Sequence, residues 1–520
     1  MSLNKENKII LFIFCLFPFF LISGPFLSDF FVTLLAFYFI VCFFLNKNFF
    51  LLKKNLIIFF LIFYFYININ SFFSYVPLQS FFTSFPYIRF ILFSVFLGYC
   101  LSNIINLKKI IFFSFLSSYL ILFIDSIIQL KIGTNILGLP VIEGRISSFF
   151  GNKLVMGSYV SRTLPILIAI SYLENFKKVN IIRAFLICLA GSLVFLSAER
   201  VSFFYFTITI FLYLVLLPSK KIIFFNIIVL AVSFSLLTFF KPSTIDRVFK
   251  HSLFQLNEKK GFWFSERHEM HFITAYRMFF EKKFLGQGIK SFRYLCDKEP
   301  YTTADLIKSN NQNYSPIDGY YYLKKNFINN KNFVYFVLES QKLQFETISK
   351  NLEYALTKDD AQIQEAEKDF LLYIKNNSII SLQVENNILD TIKSFSKVNK
   401  GDYIFSNERQ FDNGCNTHPH SFHLQILSEL GLFGYIFLFV FFIYLIFIFI
   451  KNFMRIIFNR AQNVERNYNL YKLFIVLALI QHLFPVIPSG NFFNNWLSIF
   501  LYFKLAFLLN FLYFNKKIDV

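Results

Sequence analysis

Charged residues are scarce in this sequence, since Asp, Glu, Lys and Arg together make up only 16% of its 520 residues. A soluble protein of this length would carry frequent charges and would alternate polar with apolar faces. Here the charges instead cluster between apolar blocks of roughly 17–25 residues, the length of a helix that crosses a bilayer. The scarcity of charge therefore excludes a soluble globular protein and predicts an all-α polytopic membrane protein.

The apolar blocks predict about 12 transmembrane helices. Their expected positions are residues 9–23, 26–45, 55–73, 87–103, 110–128, 154–173, 182–198, 201–217, 222–240, 424–450, 471–487 and 492–514. A small-residue cleavage site is lacking after the first block. We therefore interpret that block as a retained helix and not as a removed signal peptide.

Acidic residues are also few, 31 against 51 basic ones, and the resulting net charge of +20 is unevenly distributed. If the N-terminus lies inside, every predicted inner turn is basic, which agrees with the positive-inside rule. The residues concerned are Lys5, Lys8, Lys47, Lys53, Lys54, Lys108, Lys109, Lys177, Lys178, Lys220, Lys221, Lys451, Arg455, Arg460, Arg466, Lys516 and Lys517. Orientation and attraction to anionic lipid headgroups explain the charge, so no nucleic-acid partner is required.

One connection, about 241–419, is far longer and more polar than the others, and the topology places it on the outer face. Such long loops are usually functional. An amphipathic helix is expected from the helical spacing of Ile363, Ala366, Phe370, Leu371 and Ile374, and a strand near 400–406. The predicted organisation is an N-terminal bundle of about nine helices (1–240), a mixed outer loop subdomain (241–419) and about three C-terminal helices (420–520).

Cysteines number six, and four of them lie in predicted spans, where they are expected to act as small apolar residues. Cys296 and Cys415 both fall in the outer segment. An oxidising outer compartment would favour a disulfide between them, which would close the base of the loop subdomain. The alternative is that both are free thiols.

Ionisable residues near bilayer depth are costly and usually functional, and here they gather on the outer side of the predicted topology. They are Asp125 with Gln129, Glu143, Arg145, Arg162, Glu199, Arg200, Arg267, His268, His271 and Arg277. Several arginines converging from separate segments suit a pyrophosphate, because guanidinium groups bind phosphate oxygens with paired donors. Alternatively, each arginine pairs with its own neighbour and anchors a helix end. Lys504, inside the last span, is expected to snorkel or to bind a helix carbonyl.

Three of the seven histidines lie where a polar loop becomes a long apolar run: His418, His420 and His423. Pro419 favours the start of a helix there, and the amides and dipole at a helix N-terminus favour a bound anion. A neutral histidine in this place can take a proton from an attacking hydroxyl. Zinc binding with Cys415 is a weaker alternative, because the spacing matches no standard site. The other alternative is a surface or helix-cap histidine, above all for His423.

A nucleotide site is not indicated either. The glycine pair in Gly286-Gln-Gly288 is too short for a dinucleotide-binding motif. It is better interpreted as a turn that ends the helix following Arg267. We expect no cofactor and no metal.

His420-Ser421, followed after nine residues by Gly431-Leu-Phe-Gly434, resembles the histidine/glycine motif of the bacterial O-antigen ligase family. That family shares its membrane domain with O-antigen polymerases and with some protein O-oligosaccharyltransferases. Three further stretches agree in order, spacing and predicted side across about residues 110–450: Arg145 through Pro165, the Ser-Ala-Glu-Arg200 turn, and Arg267 through Gly288. Together they are specific to this superfamily.

The resemblance implies a metal-independent, inverting glycosyltransferase whose donor is an undecaprenyl-diphosphate-linked glycan. Its acceptor would be a hydroxyl of lipid A–core or another glycolipid at the periplasmic face of the bacterial inner membrane. Both termini would then be cytoplasmic. By position in the matched motifs, His420 would be the catalytic base, and the diphosphate would be held by Arg200 and Arg267, with Arg145 or Arg162 as a third. His418 and Glu199 would support them.

Alternatives to a ligase remain at this point. A polymerase that joins lipid-linked repeats differs mainly in its acceptor, and transfer onto protein is a third branch of the same superfamily. A lipid-glycan transporter, which is not an enzyme, would predict internal repeats and polar residues at the membrane midplane. The sequence instead gathers its polar groups at the outer surface and shows no repeat.

Overall fold

A computed structural model describes residues 5–46, 52–142, 144–174, 176–241, 243–245, 248, 266–303, 337–339, 342–344, 415–458, 463–485 and 487–514. The chain divides into two compact units. The first comprises Met1–Ser265, Ala275–Phe292 and Thr417–Val520, and the second comprises Glu266–Thr274 and Arg293–Asn416. The expected amphipathic helix at Ile363–Ile374, the expected strand near 400–406 and Glu143 lie outside the described residues.

Helices provide nearly all of the regular structure in the first unit. They are α1 (Lys5–Ser23), α2 (Pro25–Asn46), α3 (Asn55–Phe72), α4 (Pro77–Ser84), α5 (Ile88–Asn103), α6 (Leu107–Ile132), α7 (Met156–Leu173), α8 (Val179–Ser197), α9 (Arg200–Val215), α10 (Lys220–Phe240) and α11 (Ser243–Ile245). Short 3₁₀ turns occupy Phe85–Tyr87 and Ser148–Phe150.

The C-terminal helices of the first unit are α14 (Phe422–Phe458), α15 (Asn463–His482) and α16 (Asn495–Leu509), and a π-helical turn follows at Asn510–Phe514. Before them, α12 (Glu266–Glu281) begins in the second unit and ends in the first, and α13 is Phe292–Leu295. In the second unit, the strands β1 (Val337–Glu339) and β2 (Lys342–Gln344) form an antiparallel pair.

The prediction of a helical membrane protein is confirmed. Within the described parts of the chain, eight helices are long and apolar enough to cross a membrane. These are Pro25–Leu45, Asn55–Phe72, Pro77–Asn103, Leu107–Ile132, Val179–Ser197, Lys220–Phe240, Phe422–Phe458 and Asn495–Phe514. The shorter apolar helices are Asn7–Ser23 and Arg200–Val215. Each apolar block found in the sequence overlaps one of the helices of the structure.

Aromatic side chains fill the core of the first unit. Phe14, Phe17, Phe90, Phe93 and Phe112 are all fully or almost fully buried there. α7 packs chiefly against α15, and α16 packs chiefly against α5. Other helices turn large apolar side chains outward, as a lipid-facing surface requires.

α14 is broken at Gly431, whose φ of 65° lies in the left-handed region. The segment 283–288 crosses the break and bonds to it through main-chain atoms. Gln287 and Gly288 donate their N–H groups to the carbonyls of Ser428 (2.9 Å) and Glu429 (2.7 Å). In return, two N–H groups after the break donate to carbonyls of the crossing segment. The Leu432 N–H donates to the Lys283 carbonyl (2.7 Å), and the Phe433 N–H donates to the Phe284 carbonyl (3.2 Å). We call this arrangement the glycine crossing.

Two glycines make the glycine crossing close enough for these bonds. A Cβ atom at Gly431 would overlap the Phe284 carbonyl, and a Cβ at Gly286 would overlap the main chain at Glu429 and Gly431. The remaining carbonyl at the break, that of Leu430, accepts a hydrogen bond from the Tyr66 hydroxyl at 2.5 Å. These main-chain polar groups at the break of α14 are therefore bonded within the protein.

Candidate functional site

The turn between α8 and α9 carries two of the predicted site residues. α8 ends at Ser197, and Ala198 takes a left-handed conformation with φ 52°. Glu199 precedes the first residue of α9, which is Arg200. The Arg200 side chain is exposed. The turn thus directs the Glu199 carboxylate into the protein, where its partners lie, and leaves the arginine at the surface.

Glu199 binds the N-terminus of a different helix, α7. Its carboxylate accepts hydrogen bonds from the main-chain N–H groups of Gly157 (2.8 Å) and Ser158 (3.1 Å) and from the Ser202 hydroxyl (2.9 Å). A carboxylate at a helix N-terminus satisfies donors that have no partner within the helix and interacts favourably with the helix dipole. A Cβ atom at Gly157 would overlap Ser197, so glycine is required for this approach. Glu199 therefore fixes α7 against the start of α9.

Burial dominates the electrostatics of Glu199, which lies outside both flanking helices. Desolvation raises the pKa of the Glu199 carboxyl to about 7. Arg145, Ser202 and the amides of Gly157 and Ser158 oppose this shift in pKa, because all of them favour the ionised form. The Glu199 carboxyl therefore gains or loses its proton near neutral pH.

Arg145 reaches this carboxylate from the loop between α6 and α7. Its Nη2 lies 3.9 Å from Glu199 Oε1. The guanidinium also donates to the Ser197 carbonyl (3.2 Å) and to the Leu154 carbonyl (2.9 Å). The sequence suggested the local pairs Glu143 with Arg145 and Glu199 with Arg200. The structure adds an ion pair between Arg145 and Glu199 across 54 residues of sequence, and Glu143 lies outside the described residues.

Arg162 points into the bundle, one turn along α7 from Ser158. Its Nε donates to the Ser158 hydroxyl (3.0 Å), and its Nη1 lies 3.1 Å from Nδ1 of His482. The side chain is buried, with 6% of its surface exposed. Because Ser158 also bonds to Glu199, a continuous polar chain runs from Arg145 to His482.

Lys504 ends this polar chain within α16. Its ammonium donates to the carbonyl of Ala478 in α15 (3.1 Å) and lies 3.3 Å from His482 Nδ1. The expectation of a helix carbonyl as partner is confirmed. Because both cations point at the same ring nitrogen, His482 Nδ1 must carry a lone pair, and its proton must be on Nε2.

Asp125 and Gln129 hold the loop that follows α6. Asp125 accepts hydrogen bonds from the main chain of Ile136 (3.0 Å), from Asn135 Nδ2 (3.2 Å) and from the Ser148 hydroxyl. Gln129 accepts from the main-chain N–H of Ser148 (2.8 Å) and donates to loop carbonyls. These residues, which the sequence grouped with the ionisable site candidates, therefore order the loop that carries Arg145.

His420 lies just before α14 in a left-handed conformation, with φ 53°. The ring centroids of His418 and His420 are 4.3 Å apart, and His418 Nδ1 lies 2.9 Å from the Thr417 hydroxyl. The expectation that Pro419 opens the helix is wrong, since α14 begins at Phe422 and the Ser421 hydroxyl accepts from the Leu424 N–H at 3.4 Å. The reason is that the left-handed turn at His420 interrupts the helical path.

The main chain around His420 is held by Ser489, in the connection between α15 and α16. Ser489 donates its N–H to the His420 carbonyl (2.7 Å), and its hydroxyl accepts from the Phe422 N–H (2.8 Å). Behind it, Gln425 binds the next part of the same connection, through Asn491 Oδ1 (3.0 Å) and the Phe492 N–H (2.8 Å). We call residues 487–492 the strap.

His423 has a structural role. Its Nε2 lies 2.8 Å from the Leu483 carbonyl, which only accepts, so the proton is on Nε2. Its Nδ1, 3.2 Å from the Tyr435 hydroxyl, therefore accepts from it. Both ring nitrogens are engaged within the protein and the side chain is buried, so the alternative of a surface histidine is wrong for His423.

The second unit contains Arg267, His268, His271, Cys296 and Cys415, whereas Arg277 lies in the part of α12 that belongs to the first unit. Arg267 is the second residue of α12, and His271, on the same helix, is buried. Cys296 and Cys415, the pair suggested by the sequence, are joined by a disulfide with a Cα–Cα distance of 4.8 Å. Their bond joins positions that are 119 residues apart in the sequence. Among the residues that the structure describes, no group of three His, Cys, Asp or Glu side chains is arranged to hold a metal.

Sequence reasoning missed three members of this arrangement: Ser158, His482 and Ser489. The strap had a readable signal, because Pro485 interrupts the predicted span 471–487 near its end, and Pro488 and Gly490 follow directly after it. α15 indeed ends at His482. Nothing local in the sequence distinguishes Ser158 from other serines, since its importance comes from the contacts of α7 with distant segments.

The chain was compared with protein-family models, curated proteins and solved structures, and none of them matches it.

Proposed function

We propose that this chain is an O-antigen ligase-like glycosyltransferase. It would move a glycan from undecaprenyl diphosphate onto a hydroxyl of lipid A–core or a related glycolipid. The observation that carries the proposal is the polar chain in the first unit. It joins Arg145 and Arg162 through Glu199 and Ser158, with Arg200 exposed at the next position. Guanidinium groups gathered in this way at the ends of apolar helices suit the diphosphate of a lipid carrier.

The proposed reaction is a single displacement. His420 takes the proton of the acceptor hydroxyl while that oxygen forms a bond to the anomeric carbon of the glycan. The bond between this carbon and the diphosphate oxygen breaks, and its electron pair leaves with the diphosphate. Arg200 and Arg267, with Arg145 or Arg162, neutralise the charge that develops on the leaving group. Attack opposite the leaving group inverts the configuration at the anomeric carbon.

Supporting residues have defined tasks in this proposal. Glu199 orients Arg145 and holds the N-terminus of α7, and His418 lies against His420. No metal or other cofactor takes part. The lipid tail of the donor remains in the bilayer next to the apolar helices.

The proposed arrangement in the membrane has about 12 crossings, with both termini cytoplasmic. It comprises a bundle of about nine helices at 1–240, a periplasmic loop subdomain at 241–419 and about three helices at 420–520. The basic turns on the inner side and the overlap of every apolar block with a helix support it. The membrane would be the bacterial inner membrane.

In the decisive experiment, the gene is deleted and then restored as the parent or as a single variant. The glycolipids of each strain are compared on a gel. The parent chain should restore polymer on lipid A–core. His420→Ala should leave all polymer on its carrier lipid, and Arg200→Lys should reduce transfer strongly, because lysine loses the paired donors. Arg455→Lys, an exposed arginine in the last turn of α14, is the matched control and should transfer normally.

The same gel, a stain for glycoproteins and an assay of the membrane side of the carrier-linked glycan separate the alternatives. A single repeat left on the core after deletion would indicate a polymerase, and glycan missing from proteins only would indicate a protein transferase. Normal transfer by His420→Ala, with the variant inserted in the membrane, would reject the base. A carrier-linked glycan that accumulates on the cytoplasmic side would indicate a transporter.

A further inference from the structure

The backbone at His420 is held in a conformation that a non-glycine residue rarely adopts. Its φ of 53° lies in the left-handed region, which costs about 1–2 kcal/mol for an L-residue with a side chain. Histidine is among the residues that tolerate the region best, but the conformation persists only where neighbouring contacts impose it. The structure identifies these contacts in the strap.

Ser489 forms two hydrogen bonds to the main chain, one at His420 and one just after it. Its N–H bonds to the carbonyl of His420 itself (2.7 Å), and its hydroxyl accepts from the N–H of Phe422, two residues later (2.8 Å). Phe422 is the first residue of α14, so its N–H has no partner within the helix. One serine thus determines where the chain leaves the left-handed turn and where the helix begins.

The strap itself is anchored further along α14. The Gln425 amide bonds to Asn491 (3.0 Å) and to the Phe492 N–H (2.8 Å), and both Gln425 and Phe492 are buried. The strap is therefore held at Asn491 and Phe492 by a residue one turn beyond Phe422. The hydrogen bonds of Ser489 in turn hold the main chain at His420.

We propose that Ser489 is a positioning residue for the His420 imidazole. The assignment rests on the proposed function, in which His420 is the base. Ser489 acts through the main chain of His420 and Phe422, and it sets the direction of the Cα–Cβ bond from which the imidazole extends. A base misplaced by about 1 Å can cost about 100-fold in rate, so a single hydroxyl in this place can matter greatly.

The test uses the full chain purified in detergent and compares Ser489→Ala with Ser489→Thr. Ser94→Ala is the control, because Ser94 is also buried and bonds to Ile91 of its own helix. One measurement is steady-state glycan transfer, resolved into kcat and KM. The other is the rate at which diethyl pyrocarbonate modifies His420, located by tandem mass spectrometry and independent of turnover.

Ser489→Ala should lower kcat about 10- to 100-fold with little change in KM, and it should change the modification rate of His420 about threefold or more. Ser489→Thr, which keeps the hydroxyl, should restore both values, and Ser94→Ala should match the parent. If Ser489→Ala does not elute as a folded protein, Ser489→Cys, a weaker acceptor of similar size, takes its place and should give an intermediate loss.

The proposal is overturned if the alanine variant keeps the kcat and the His420 modification rate of the parent. It is also overturned if the threonine variant is as defective as alanine, because the hydroxyl would then not be the determinant. If the parent chain itself transfers no glycan, the proposed function fails, and the modification rates alone decide whether Ser489 positions His420.

Discussion

Replacing Gly431 with alanine should destabilise the first unit by about 2–6 kcal/mol. Two costs combine. An L-residue with a side chain pays about 1–3 kcal/mol at φ 65° and ψ −166°, a combination that is essentially restricted to glycine. The added Cβ also overlaps the Phe284 carbonyl, and overpacking of this kind costs about 1–3 kcal/mol.

Gly133 provides the matched control, because it isolates the backbone cost. It ends α6 with φ 88°, and a Cβ added there would have no atom within 4 Å. Gly133→Ala should therefore cost only about 1–2 kcal/mol. The difference between the two variants measures the close approach of the two segments at the glycine crossing together with the more restrictive backbone conformation of Gly431.

Thermal unfolding can be followed in detergent through the buried thiol of Cys100. Serine at Cys15, Cys42 and Cys188, the other free cysteines among the described residues, would leave Cys100 to react with a fluorogenic maleimide as the protein unfolds. The midpoint should fall slightly for Gly133→Ala and much further for Gly431→Ala. Equal midpoints for the two variants would refute the reasoning, because the glycine crossing would then tolerate a methyl group.

Two further predictions concern carboxylates of the first unit. Burial raises the pKa of Glu199 to about 7 from its ordinary 4.5, so its contribution to stability is greatest below pH 4.5 and declines as the pH rises to about 7. Glu199→Gln should remove this part of the slope between pH 4.5 and 7, and an unchanged slope would contradict the assignment. Asp125→Asn should cost about 1–3 kcal/mol, because its partners are all donors, and should speed hydrogen exchange at Ile136. Exchange as slow as in the parent would show that the loop does not depend on this carboxylate.

The helices could be predicted because each is determined by the residues of its own segment. An apolar block of membrane length, bounded by charged turns, can satisfy its main-chain polar groups in lipid only as a helix. Helix ends were less predictable, as at Pro419, where the contact with Ser489 decides that α14 starts at Phe422. That contact joins residues 67 positions apart.

The candidate site was predictable as a set of residues but not as a set of partners. Costly charges at the ends of apolar blocks drew attention to Arg145, Glu199 and Arg200 without regard to where their neighbours lay. The pairing of Arg145 with Glu199 and the inward turn of Arg162 toward His482 depend on how α7 packs against α9 and α15. No periodicity within one segment encodes such packing.

The glycine crossing has a consequence for how the chain is made. Ribosomes synthesise proteins from the N-terminus, so residues 283–288 exist long before Gly431 emerges. When the interrupted helix is synthesised, the segment that will bond to its peptide groups at the break has already been produced. Those groups therefore need no partner that is still untranslated. Because residues 283–288 precede Gly431 in the sequence, the later segment can bond to an earlier one that the ribosome has already produced.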